Sequence, residues 1–343
     1  MWYTERKDTK GIALRRKPMV QKQLIDEIVR IICELRDGDV DELARYDLKL
    51  DCNVTKEHPW KRLCSYKSEK DLDSECDKSL RIMIIFWLSF GFNRWKIRRK
   101  GDNFELRSRE VPFVVRGDII NSYATTARIY LYLYPEGVLK NKRQNINELV
   151  LEQYDKEPML HNLYETNTDF AEFIKLCHTV GNILPCPSGD LNGARGIGPS
   201  NDYFDIFLMW VQKYFEYGEG FAAGVSLFPG GREFLAYISD YEDFQDYIRR
   251  NFLQDFVKEK SGTMAVSPLW MSESTNLFEQ FVKGDQTLLP INLEQCTAYF
   301  HNAGERIIAR GENIIKAVKS RLDEYEKADI RLERLAEDMC TRV

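Results

Sequence analysis

The eight cysteines contain no CxxC pair, and the four histidines form neither HExxH nor HxxxH. Zinc-ribbon and His-rich metal centres of ordinary spacing are therefore excluded. No GxGxxG occurs, and no GK[ST], so a P-loop is absent. Long apolar runs are missing as well. The most apolar stretch, Leu80–Phe92, spans 13 residues, well short of the roughly 20 that a membrane helix needs. Glycine and proline together make up 31 of 343 residues, which excludes collagenous and low-complexity chains. A basic excess is absent too, because the formal net charge is −5. That balance argues against a generic nucleic-acid coat or a polybasic membrane binder.

What remains is a globular composition, 43% hydrophobic and 30% charged, long enough for one large domain or two ordinary ones. Met1–Lys17 is charged throughout and carries no secretory pattern. The core needs no disulfide framework, so reduced thiols and a cytoplasmic location are expected. The pattern predicts an α+β fold, mostly helical, with one small antiparallel sheet and a long C-terminal helix. Three regions are expected: an N-terminal helical and irregular segment over 1–77, a core over 78–260, and a loop plus long helix over 261–343.

Helical spacing of Leu24, Ile25, Ile28, Val29, Ile32 and Leu35 predicts an opening helix. Leu80–Phe92 is expected to be a buried helix. A hairpin signal follows, with alternation in Trp95–Arg99, turn residues at Lys100–Asn103 and alternation again from Phe104; Val111–Val115 is a third strand candidate. A helix is expected over Asp118–Tyr134, capped by Asp118, and others over Asp169–Thr179, Asp202–Tyr217, 232–238 and 240–258. Residues 261–290 read as a loop. Leu293–Met339 has the stripe Ile307, Ile308, Ile314, Ile315, Val318, Leu322, with Gly304 and Gly311 as candidate bends.

Charge is uneven. Arg94–Arg109 carries seven basic and two acidic residues. A solvated face explains such a run. As a nucleic-acid contact, Trp95 and Phe104 would stack on the bases of a single strand, with Arg98 and Arg99 on phosphates.

Two segments are unusually polar. In Arg116–Thr126, short hydrogen-bonding side chains at Asp118, Asn121, Ser122 and Thr125 replace the Glu, Lys and Gln of an ordinary exposed helix. Such choices suggest a buried polar wall. The second runs from His178 to Asp205. Its three glycines, Gly193, Gly196 and Gly198, lead into a helix start, so converging backbone N–H groups and Arg195 would suit an anion. Equally, Arg195 would pair with Asp202 or Asp205 in a purely structural loop, and Asp202 would be a cap.

The runs VVRGDIINSYATT, CHTVGNILPCP and LNGARGIGPSNDYFDIFLMWVQKYF resemble an uncharacterised bacterial family of domain-of-unknown-function proteins. The shared features are the His178–Asn182 turn, the Asn192–Gly196 loop and the Asp202–Asp205 helix start, within roughly Val111–Lys258. The resemblance implies bacterial origin and one common site for the two polar segments. HTVGNILP also resembles the second part of HNH-type nuclease domains, but the nearest upstream histidine, His161, lacks the preceding acid of that motif.

The expected site is a polar pocket for a phosphate-bearing ligand, a nucleotide or a nucleic-acid end. Arg116, Asn121, Ser122, Asn182, Asn192, Arg195 and Asp202 would bind it. His178, Asp205 and Asp118 are the candidates for proton transfer or for holding a divalent metal such as Mg²⁺, which would suit a phosphodiester-acting enzyme. The alternative is a non-catalytic interaction or structural subunit, in which the polar groups brace the core and the hairpin and C-terminal helix meet partners.

Overall fold

The computed structural model describes residues 21–52, 76–101, 103–122, 124–133, 164–187, 203–218, 231–260, 262–282 and 288–340. The chain opens with α1 (Gln21–Asp37) and the short α2 (Val40–Ala44), whose cap Asp39 accepts from the N–H groups of Asp41 and Glu42. Helix α3 (Leu80–Ser89) follows, capped by Ser79. It is buried on all sides, as its composition requires. Even Arg81 is only 4% exposed; it reaches Asp51 at 2.9 Å and Glu34 at 2.7 Å. The pairing is needed because a buried guanidinium without partners would be strongly disfavoured.

Strands β1 (Lys96–Lys100) and β2 (Asn103–Arg107) form the expected hairpin, in register Lys96↔Arg107 through Lys100↔Asn103. β3 (Val114–Ile119) and β4 (Ile183–Pro187) complete an antiparallel sheet in the order β1-β2-β3-β4. The expected helix therefore begins late. Residues Arg116–Ile119 pair with Ile183–Cys186 as strand, and α4 covers Ala124–Leu133. Asp118 sits in β3 opposite Leu184, not at a helix cap. The long-range ladder to β4 outweighs the local helical spacing.

Next come α5 (Thr168–Leu176), α6 (Phe204–Tyr217), α7 (Gly231–Ile238) and α8 (Phe244–Arg250). The helix expected over 240–258 breaks at Asn251 and Phe252, where Phe252 adopts φ 56°. A second hairpin, β5 (Val257–Lys260) with β6 (Thr263–Val266), takes up residues expected as helix and loop. Gly262, at φ 77°, lies in its turn.

Helix α9 (Leu277–Val282) leads to α10 (Leu293–Lys327), and α11 (Leu332–Met339) closes the described chain. At 35 residues, α10 is about 50 Å long. It runs unbroken through Gly304 and Gly311 and links two cores. Phe300, Ala303 and Ile307 pack with α4, α5 and the start of α6. Ile314, Ile315, Val318 and Leu322 pack with α1, α3 and the sheet. Among the described residues, no helix is long and apolar enough to cross a membrane.

Candidate functional site

The His178–Asn182 segment is a crossing point of the chain. Helix α5 ends at Leu176, whose carbonyl accepts from Thr179 Oγ1 at 2.9 Å, and residues Val180–Asn182 form one 3₁₀ turn. That turn lies directly on α10. A Cβ added to Gly181 would stand 1.9 Å from the Ile307 carbonyl oxygen and 2.9 Å from the Gly311 nitrogen. The contact is backbone on backbone, so glycine is the residue that fits. Gly311 serves this approach and does not bend the helix.

Asn182 then joins three segments. Its Nδ2 donates to the carbonyls of Cys177 (2.8 Å) and Asn121 (2.9 Å), and its Oδ1 accepts from the Asn121 N–H at 3.0 Å. Asn121 in turn accepts from the Phe204 N–H at 3.3 Å. Helix α6 has no side-chain cap of its own at Tyr203. Asn121, 83 positions earlier, thus satisfies one of the N–H groups that a helix start leaves unpaired. Both asparagines are fully buried. Nearby, the Ser122 carbonyl accepts from Tyr299 Oη at 2.7 Å, and Thr126 Oγ1 donates to Tyr203 Oη at 2.9 Å.

Asp205 is committed in the same way. One carboxylate oxygen accepts from its neighbour Ile206 N–H at 3.0 Å and the other from Leu269 N–H at 2.8 Å. Arg306 donates to the carbonyls of Ser267 (2.8 Å) and Pro268 (2.9 Å), and Asn302 to that of Leu269 (2.6 Å). Together they fasten Ser267–Leu269 between α6 and α10. Complete burial lifts the Asp205 carboxyl to about 6, against the opposing pull of the Leu269 N–H and the Arg306 charge.

Arg310 is the largest fully buried side chain described. It donates to the carbonyls of Gly181 (2.6 Å), Ile183 (2.9 Å) and Asn251 (3.0 Å), tying α10 to the 3₁₀ turn, β4 and the end of α8. Burial pushes its guanidinium down to about 9, and Nη2 has no hydrogen-bond partner among the described residues. His178 is 6% exposed. Burial, assisted by the charge of Lys49, holds it well below the ordinary histidine range and therefore neutral near pH 7. Its carbonyl accepts from Leu48 N–H at 3.0 Å. Among the described residues, none makes a hydrogen bond to a His178 ring nitrogen.

The expected residues divide accordingly. Asn121, Ser122, Asn182 and the start of α6 at Asp205 come together, bonded to protein backbone. Arg116 pairs with Glu105 at 2.6 Å across β2 and β3. Asn192, Arg195 and Asp202 lie outside the described residues. Surface concavities of about 450 and 420 Å³ border α10. Their lining includes Asp169, Glu294, His301 and Trp270, and none of the expected site residues. Among the described residues, no group of three or more His, Cys, Asp or Glu is placed to hold a metal.

The hairpin differs from expectation in its aromatic residues and in Arg99. Trp95 turns inward, with ring centroids 5.3 Å from Phe92 and 6.0 Å from Phe113, and its carbonyl accepts from Trp87 Nε1 at 3.0 Å. Phe104 is only 9% exposed. Both rings pack against the core, Phe104 buried and Trp95 partly buried. Arg99 falls on the side of Ile97 and donates to the Gly101 carbonyl at 2.8 Å. Arg94, Arg98, Lys100, Arg107 and Arg109 are all exposed. None of these five has a carboxylate partner among the described residues. Glu105, the nearest acid in the ladder, is buried and held by Arg116.

Arg306 and Arg310 escaped the sequence reading. The available signal was an arginine inside the apolar stripe of α10, between Ile307 and Ile314, where a solvated helix would not place one. Comparison with protein-family models, with curated proteins and with solved structures finds no match to the chain.

Proposed function

We propose that this chain is a non-catalytic interaction protein whose basic hairpin docks a polyanionic partner. The observation that carries the reading is the set of five exposed cations on β1, β2 and their flanks, Arg94, Arg98, Lys100, Arg107 and Arg109, in a chain of net charge −5. Exposed cations on a helix of this protein usually have an acid one turn away, as in Arg30 with Glu27 and Glu34 or Lys316 with Glu312. Among the described residues these five cations lack that neutralisation, so their positive potential extends into solvent. Asn182 and Asp205 spend their hydrogen bonds on backbone groups, and Asn121 accepts from the Phe204 N–H, which supports a bracing role for these three.

Retention on immobilised heparin tests the reading. Wild-type protein is expected to be retained and released by salt, and the double variant Arg98→Glu, Arg107→Glu to elute at clearly lower salt. Equal elution of the two proteins would contradict the proposal.

A further inference from the structure

We infer that the hairpin's partner is double-stranded DNA, gripped through its phosphates without base readout, an inference that rests on the polyanion reading above. Three properties of the hairpin converge on this partner.

The first is which side chains are outside. Along β1, Arg98 and Lys100 alternate with Ile97 and Arg99, and the register Lys96↔Arg107 adds Arg107 to the same face, where Lys96 itself is taken up by the Asp338 carbonyl. Successive positions on such a face are about 6.6 Å apart along a strand, and paired strands about 4.8 Å across. The cations therefore form a ribbon array. A two-stranded ribbon is narrow enough for the major groove of B-form DNA.

Second, the ribbon is only partly tied to the sheet. At its base the β2–β3 ladder holds Leu106↔Val115 and Arg107↔Val114, and on the outer edge of β1 Ile97 bridges Cys340 while Lys96 donates to the Asp338 carbonyl. The turn end, carrying exposed Lys100 and Gly101, lies beyond that ladder.

Third, among the described residues the hairpin exposes no large hydrophobic side chain. Trp95, Ile97, Phe104, Leu106 and Phe113 all belong to or pack against the core. A single strand would require exposed aromatic platforms for its bases. A protein partner would require aromatic or aliphatic anchors at the centre of the contact. Arginines are abundant here, and their guanidinium forks match phosphate oxygens. A regular phosphate lattice is the partner that suits this face, where Glu105, opposite Arg98, is buried and held by Arg116.

The test is fluorescence-anisotropy titration with a labelled 20-base-pair duplex, the corresponding single strand, heparin and polyglutamate, repeated across salt. With about five neutralised phosphates, log K against log salt is expected to slope near −4.5. Raising salt from 50 to 200 mM then weakens duplex binding roughly 500-fold. Arg98→Ala and Arg107→Ala should each reduce the slope by about one, equally for duplexes of unrelated sequence. Far-ultraviolet dichroism and melting of these exposed variants should match wild type. Absence of binding to every probe would overturn both this inference and the polyanion reading. Binding to heparin, single strand or polyglutamate as tight as to duplex would overturn the inference and leave that reading standing.

Discussion

Replacing Asn182 with alanine isolates the clasp between β3, α5 and the 3₁₀ turn. The side chain serves three buried backbone groups: the Asn121 N–H, the Asn121 carbonyl and the Cys177 carbonyl, at 3.0, 2.9 and 2.8 Å. A buried polar group stripped of its partner costs about 1–3 kcal/mol. Three such groups give an upper range near 9 kcal/mol, which local relaxation and entry of water into the vacated volume reduce; about 3–5 kcal/mol is the expected loss. That is a large share of the roughly 5–15 kcal/mol by which a folded chain exceeds its unfolded state. The assay is urea unfolding followed by tryptophan fluorescence, with the midpoint expected to fall and the slope m to stay constant. Asn182→Asp sharpens the test. At pH 7 its carboxylate faces two carbonyl oxygens and is expected to destabilise more than alanine. Protonation returns one donor, so the folded-state pKa lies above the unfolded value, and the deficit relative to wild type should shrink as pH falls toward 4. A loss under about 0.5 kcal/mol for Asn182→Ala, the range of ordinary surface changes, would refute the reasoning.

Gly181→Ala places a methyl group 1.9 Å from the Ile307 carbonyl oxygen; separation of the turn from α10 is expected to cost at least about 3 kcal/mol, read as a lower urea midpoint or loss of soluble expression. Asp205 is lifted to about 6 in the folded state, so the folded chain binds its proton more tightly than the unfolded chain. Its contribution to stability is therefore full below pH about 4 and falls by about 3 kcal/mol as pH rises through 6. In Asp205→Asn this part of the slope should vanish in urea midpoints taken between pH 4 and 7. Arg310→Lys keeps the charge but offers one ammonium to three carbonyls on separate segments, and is expected to lose about 2–4 kcal/mol in the same assay.

The local signals were legible where each element decides its own conformation. Alternation around the Lys100–Asn103 turn, the unbroken apolarity of Leu80–Phe92 and the long stripe from Ile307 to Leu322 all correspond to observed elements. Asp118 shows the limit. Its segment VVRGDIINS fits a helix start by composition, and only pairing with Ile183–Pro187, some 65 positions away, makes it a strand. The short polar side chains of Asn121 and Ser122 did signal burial. Whether a buried asparagine faces a ligand or a distant backbone amide is a tertiary fact, and here Asn121 and Asn182 face each other. Trp95 is a similar case: the alternation put it in the hairpin, but Phe92 and Phe113 decide which way its ring turns.

The central claim is that bracing and binding are carried by separate residues, the clasp around Asn182 and the cations around Arg98. Urea midpoint and duplex affinity measured together on Asn182→Ser and Arg98→Glu test it most directly. The account predicts that Asn182→Ser, assayed under conditions where it is fully folded, lowers the midpoint and leaves affinity within twofold of wild type, while Arg98→Glu weakens binding at least tenfold at an unchanged midpoint. Loss of affinity in folded Asn182→Ser, with Arg98→Glu binding as wild type does, would contradict it.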